Sequence, residues 1–392
     1  MSAGRTAAPD TRPLTWVDTE AALGRLMERL AHLERVAVDT ESNAFHAYHE
    51  KVCLIQLSDA EADFLVDPLA IDVAPLGALF ADPKRETVFH AAEYDVLMLK
   101  KDFGFRFTAI FDTQAAAMVL GEGQLGLAKL VERVCGVRLP KEAQRSDWAR
   151  RPLTREQLEY ARNDTAYLLE VHAVLAQRLE ETGRYPEAQA VFERLTRVEP
   201  KARAIDPDAF YGLKGYRDLD PAGRAIAQRL FALREKRAAR IDRPVFRVLG
   251  NEAVLTLARE KPHDPKALGA LKGVPRRLPA SFSRQIVDAI REGERDPNPP
   301  PVERPKRRRG GRPFDAGAEA RFEALRRWRN ARAEALGMKN SVIASNRVLK
   351  AIARAHPRTL EALAAVAEVD HHLVHSYGAE ILAALDDSAE TT

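Results

Sequence analysis

Short runs of β-branched and aromatic residues alternate with helix-period segments as far as about Arg184, and then cease. RVAVDT, CLIQLS, DFLVD, ETVFHA and AIFDT have the length and composition of buried strands. Around them, TEAALGRLMERLAHL, VLMLKKDFG, AAAMVL and LGLAKLVERVCG bring apolar residues back at helical intervals. A chain with both patterns buries its apolar faces by laying helices on a sheet. This predicts an α/β domain over residues 12–185, ended by the helix-breaking TGRYP.

Beyond Asp206 the pattern is helical alone. AGRAIAQRLFALREKRAARI, NEAVLTLAREKP, DPKALGALKG and SFSRQIVDAIREG predict a first helical domain over 207–294. The Pro- and Arg-rich stretch from Asp296 to Pro313 reads as an extended linker, 295–314. AEARFEALRRWRNARAEALG then opens a second helical domain, 315–388. NEAVLTLAREKPHDPKAL aligns without a gap on NRVLKAIARAHPRTLEAL, pairing Asn251 with Asn346, Leu257 with Ile352 and Pro262 with Pro357, which points to a duplicated module.

Charge divides along the same line. Residues 1–200 carry a net −8 and residues 201–392 a net +12. A basic rear half suits a polyanion such as nucleic acid, while two oppositely biased solvated surfaces are the plainer alternative. Cys53 and Cys135 are too few for a disulfide framework or a thiolate metal site, so a reducing cytoplasm is expected. No apolar run approaches ~18 residues and the N-terminal stretch lacks an apolar centre, so neither membrane insertion nor export is expected.

VAVDTES, Val36 to Ser42, sets two carboxylates, Asp39 and Glu41, on one face of an emerging core strand. Asp95 in HAAEYDVLML stands at a helix start, where an acid also suits the dipole. Thr154 and Gln157 form a capping box opening the helix of LTREQLEYARNDTAYLL. Tyr160, Asp164, Tyr167 and Val171 then share one stripe, and an inward Asp164 needs a cation or hydrogen bonds. Should the strand and two helices meet at one sheet end, four oxygen donors without His or Cys suit Mg2+ or Mn2+ rather than Zn2+. Two such ions serve in-line phosphoryl displacement, and Tyr160 is placed to hydrogen-bond the attacking water or the scissile phosphate.

DTE, HAAEYD and YARND, in that order, resemble the three motifs of the DEDD exonuclease superfamily, in the branch with Tyr four residues before the last Asp. KEAQRSDWARRPLTREQLEYARND is similar to the stretch before the third motif in ribonuclease D, and the two helical blocks resemble the HRDC domains that follow its nuclease domain. The resemblance covers nearly the whole chain. It implies a ribonuclease-H-like (DnaQ-like) exonuclease domain with a mixed sheet, two all-α HRDC-like domains, and two Mg2+ or Mn2+ ions. The implied activity is 3′→5′ removal of nucleotides from RNA with a free 3′ end, tRNA precursors included. Asp39, Glu41, Asp95 and Asp164 would be the metal ligands and Tyr160 the fifth catalytic residue. Ser42 departs from the pattern, since Phe is common there in ribonuclease D, and SNAFHAYHEKVC carries its own His46, Tyr48 and His49.

A 3′→5′ DNA exonuclease and a non-catalytic RNA-binding protein on a dead nuclease fold are the alternatives; the intact acids argue against the second. Arg234 and Arg237 on one helix, and Arg326 and Arg329 on another, are candidate nucleic-acid contacts. GEGQLG matches a dinucleotide fingerprint literally, but a helix precedes it, so it reads as a loop and no nucleotide cofactor is expected. No phosphate-binding G-x-x-x-x-G-K-[ST] occurs. Asp112 reads as a helix cap, Asp147 and Trp148 either as substrate neighbours or as a loop pin, and His371, His372 and His375 as a solvated helix face. Lys306 to Arg309 suits either a localisation signal or a phosphate contact.

Overall fold

The computed structural model describes residues 12–140, 143–200, 205–304 and 316–390. These form two compact units: one takes residues 12–42, 52–200 and 316–390, the other residues 43–51 and 205–304. The Lys306–Arg309 run and the second half of the expected linker lie outside the described residues.

In the first unit, β1 (Leu14–Val17), α1 (Glu20–Leu30), β2 (Arg35–Ser42), β3 (Val52–Ser58) and β4 (Asp63–Val66) lead into α2 (Leu76–Ala81). β5 (Glu86–Phe89), α3 (Glu93–Phe103), β6 (Ile110–Asp112), α4 (Thr113–Val119) and α5 (Leu127–Cys135) follow. α6 (Arg155–Ala166), α7 (Leu168–Glu181) and α8 (Tyr185–Thr196) complete this part. The sheet order is β1-β4-β3-β2-β5-β6. β3 is antiparallel to both β2 and β4, whereas β2, β5 and β6 run parallel, so the sheet is mixed, as expected. The edge strand β1 carries only four residues and its pairing with β4 is parallel, a partnership no local pattern announces.

Alternation along β2 divides the core. Val36 and Val38 enter a cluster with Leu23, Leu26, Phe80 and Leu99. Ala37 enters the cluster on the other face with Phe111, Val171, Leu175 and Phe192. α8 belongs to that second layer, with Phe192 4.7 Å from Phe111 between ring centroids. The expected boundary at 185 therefore falls at the first residue of a helix that covers the sheet.

The second unit contains α9 (Pro221–Ile241), α10 (Val245–Val248), α11 (Asn251–Glu260) and α12 (Ala280–Glu294) around Leu230, Leu257, Phe282 and Ile286. DPKALGALKG, expected to be helical, contributes only a 3-10 turn, Leu268–Ala270; Gly269 lets the Arg276 carbonyl approach to where a side chain would lie, and Gly273 leaves the helical region at φ 78°. Segment 43–51 joins this unit: Tyr48 is buried in its core and donates its hydroxyl to Glu235 at 3.1 Å.

The remaining helices, α13 (Ala316–Leu336), α14 (Asn340–Ile343), α15 (Asn346–Ala355), α16 (Leu360–Ala364) and α17 (His371–Glu390), enclose Leu325, Leu349, Ile352 and Ile381. They pack on the sheet-bearing part of the first unit. Met338 and Val342 enter the core shared with α4 and α7. Arg184 donates to the carbonyls of Val119 and Leu336, and Arg194 pairs with Asp370 at 2.7 Å. No helix among the described residues is long and apolar enough to cross a membrane.

Candidate active site

Three elements bring the sequence-predicted acids to one end of the sheet. On β2, Asp39 and Glu41 share the face of Ala37, with Gln56 and Leu54 of β3 opposite them. Ser58, further along that face of β3, bonds Thr165 of α6 at 2.7 Å, which fixes α6 over it. α6 starts at the expected capping box, Thr154 with Gln157, and places Tyr160 and Asp164 one turn apart. Oxygen atoms of Asp39, Glu41 and Asp164 lie within 4.8 Å of one another.

Asp95 approaches from the other face. Thr40, between the two β2 acids, points away from them and donates its hydroxyl to Asp95 at 2.5 Å. The turn entering α3 is held by Asp112, whose carboxylate accepts from the backbone N–H of Ala91 and Ala92 at 3.1 and 2.9 Å. The same carboxylate caps α4 through Gln114 and Ala115, as its position in the sequence suggested. Thr40 and Asp112 therefore support Asp95, and neither role has a local sequence signal, because each joins distant segments.

The electrostatics follow from crowding. Burial first, and then the charges of Asp95, Asp164 and Glu41, raise Asp39 well above the ordinary carboxylate range. Burial and the neighbouring aspartates push Glu41 up to about 9. Burial raises Asp95 to about 7 against the opposing Thr40 bond, and Asp164 to about 7 with Asp95 adding to it. Without a counter-charge the cluster holds protons at neutral pH; a divalent cation is the partner that would release them. Hard oxygen donors without His or Cys fit Mg2+ or Mn2+ by their chemistry.

The Tyr160 hydroxyl bonds Asp164, and burial together with the surrounding carboxylates holds this phenol far above its ordinary range, so it stays protonated. Its ring packs 6.0 Å from that of Trp148, which is 1% exposed. Trp148 therefore pins its loop and supports Tyr160 from behind, while Asp147 is exposed. Gln56 was not singled out in the sequence, yet it is fully buried beside Asp39, and among the described residues neither of its amide atoms has a partner. Its only signal was a polar residue inside an apolar strand.

Two of the expected nucleic-acid contacts are corrected. Arg234 and Arg329 are 3% and 7% exposed and donate inward to backbone and asparagine oxygens. Spacing on a helix did not reveal that these guanidiniums face their own domain core. Arg237 is half-buried over the Phe282 ring, and Arg326 is exposed with Glu323 at 3.0 Å. GEGQLG is the loop between α4 and α5, as read.

A mixed sheet of this order, with its acids at the end of the central strand, is the ribonuclease-H-like arrangement, and the class it defines here is a 3′–5′ exonuclease. Residues 14–180 match the family model described as 3′-5′ exonuclease, and residues 223–290 and 318–385 each match the HRDC domain. Ribonuclease D of Nitrobacter hamburgensis is 35% identical over 301 residues, 75% of this chain and 78% of that protein. The crystal structure of Escherichia coli RNase D, described as an exoribonuclease involved in structured RNA processing, is 26% identical and superposes with a TM-score of 0.61, covering 96% of this chain and 99% of that one. The catalytic core of RRP6 from Trypanosoma brucei is 28% identical, with a TM-score of 0.68 over 75% of this chain and 83% of that one. The chain belongs to the ribonuclease D family and is a 3′–5′ exoribonuclease by class.

Proposed function

We propose that the protein trims structured RNA, tRNA precursors among its substrates, one nucleotide at a time from a free 3′ end. Two Mg2+ or Mn2+ ions would be held by Asp39, Glu41, Asp95 and Asp164. The observation that carries this reading is the gathering of these acids from β2, α3 and α6 into one mutually repelling cluster, with the Tyr160 hydroxyl on its edge. When bound, the cations supply positive charge that activates water and stabilises the departing oxygen.

The chain's own residues supply position. β2 pairs with β5 as far as Ala37 and with β3 through Asp39 and Glu41, so the two acids extend from a strand anchored on both sides and stay held by β3. Thr40 holds Asp95, and the Tyr160 hydroxyl, kept protonated, would turn its one proton from Asp164 to the attacking water or the scissile phosphate. Hydrolysis of the last phosphodiester puts hydroxide on phosphorus and a proton on the 3′ oxygen. A nucleoside 5′-monophosphate leaves, and the shortened RNA keeps a 3′ hydroxyl. Lys236, Arg240, Arg326 and Arg327, all exposed, are the phosphate contacts we assign to the basic helices. Cys53 and Cys135 form no disulfide, which suits a cytoplasmic protein.

The test is digestion of 5′-labelled RNA and DNA of one sequence in Mg2+, Mn2+ and EDTA. RNA should shorten in single-nucleotide steps with either metal and remain intact in EDTA. Preferential shortening of DNA would make this a DNA exonuclease, and binding without cleavage in either metal would leave an RNA-binding protein on a nuclease fold.

A further inference from the structure

Thr40 and Ser42 lie two residues apart on β2, on the face away from Asp39 and Glu41, and both reach α3. Thr40 bonds Asp95, and the Ser42 hydroxyl lies 3.0 Å from that of Tyr94. Tyr94 thus forms the next rung outward from the Thr40–Asp95 bond. Its side chain is 45% exposed. A phenol ring tethered at its tip and left nearly half in water is a rigid aromatic surface. Tyr94 directly precedes Asp95 in the chain.

We infer that Tyr94 is the stacking platform for the base of the 3′-terminal nucleotide, with Ser42 as its positioning residue; this rests on the proposed seating of an RNA 3′ end at the carboxylates. Every base presents a π-face, so such a platform adds affinity for the terminal nucleotide without selecting among bases. The Ser42 bond fixes the ring before RNA arrives, which lowers the ordering cost of binding. It also accounts for a small hydroxyl residue directly after Glu41: a larger side chain would lose the tether.

The experiment measures equilibrium binding of two fluorescent RNAs, one complete and one with an abasic 3′-terminal sugar, in Ca2+, with the RNA checked for integrity afterwards. The full-length wild-type protein should hold the complete RNA on the order of tenfold more tightly than the abasic one. Tyr94→Ala should bring that ratio close to one, while Tyr94→Phe and Ser42→Ala, which keep the ring but release its tip, should fall between. A Tyr94→Ala protein that keeps the wild-type ratio, even with both affinities reduced, overturns the assignment, because a structural role would weaken both RNAs alike. A wild-type ratio of one overturns it too. Failure of the wild type to bind either RNA, or to cleave the complete one in Mg2+ or Mn2+, would instead remove the exonuclease reading beneath it. Thermal melting of each variant shows that the comparison is between folded proteins.

Discussion

Arg234 and Arg329 make the same pair of hydrogen bonds in two copies of one helical module. Arg234 donates to the Leu249 carbonyl and the Asn251 side chain at 3.2 and 2.7 Å. Arg329 donates to the Ala344 carbonyl and the Asn346 side chain at 3.0 and 2.8 Å. Both following helices, α11 and α15, end on a left-handed residue, Lys261 at φ 49° and His356 at φ 48°. The gapless repeat seen in the sequence thus extends back through α9 and α13. Arg329→Ala would strand buried acceptors, so it should destabilise by about 2–3 kcal/mol. The salt dependence of RNA binding should stay as in the wild type. Denaturant unfolding and binding titrations at several salt concentrations check both statements.

The exposed arginines should behave in the opposite way. Replacing Arg326 and Arg327 together with alanine should leave melting unchanged and make the slope of log affinity against log salt shallower by roughly 0.7 for each phosphate no longer neutralised. An unchanged slope would place phosphate binding elsewhere on the basic helices.

Asp39→Asn removes a charge from the centre of the cluster while keeping its shape. Hydrolysis should fall by roughly a thousandfold or more with metal in excess, since a shared donor is removed. The same variant should melt higher than wild type in EDTA, because one repelling carboxylate is gone. Paired activity and melting measurements check this, and near wild-type turnover would exclude Asp39 as a ligand.

The cluster also sets a pH dependence in metal-free protein. Folding raises Asp95 and Asp164 to about 7 and Glu41 to about 9, so the folded chain binds more protons than the unfolded one between the ordinary carboxylate range and those values. Stability from these groups is fully present below the ordinary carboxylate range, declines as pH rises above it, and is lost once pH has passed through about 7 for the aspartates and about 9 for Glu41. Excess Mn2+ favours the deprotonated forms, so the stabilisation it adds should grow over the same interval. Melting temperatures in EDTA and in Mn2+ at pH 5, 7 and 9 test the sign.

Tyr160→Phe deletes the hydroxyl and leaves the ring against Trp148. The turnover number should fall by about ten- to a hundredfold, with RNA affinity and melting nearly unchanged. Weaker binding with unaltered turnover would make Tyr160 a substrate-binding residue instead.

Truncation tests the packing of α8. A chain ending at residue 184 loses Phe192 from the cover over Phe111, which by itself should cost about 3–5 kcal/mol. It also loses the Arg194–Asp370 pair together with α13 to α17, so it should express poorly or melt far below the full chain. The salt dependence of RNA binding is better tested by surface substitutions in the complete protein.

Much of the architecture was readable from residue order because it rests on local chemistry. Alternation in RVAVDT set which face of β2 carries Asp39 and Glu41, the Thr154–Gln157 box set where α6 begins, and four-residue spacing put Tyr160 and Asp164 one turn apart. The repeat of Asn251 at Asn346 revealed the duplicated module. What tertiary structure decided are meetings of segments far apart in the chain. Thr40 on Asp95, Asp112 beneath Ala91 and Ala92, and Ser42 against Tyr94 each join residues about 20 to 55 positions apart. The inward turn of Arg234 and Arg329, and the packing of α14 on the sheet-bearing domain through Val342, were equally hidden. Periodicity says that a helix has a buried stripe; what lies across that stripe, and whether a charged residue at its margin meets water or a carbonyl, is settled only when the partner element arrives.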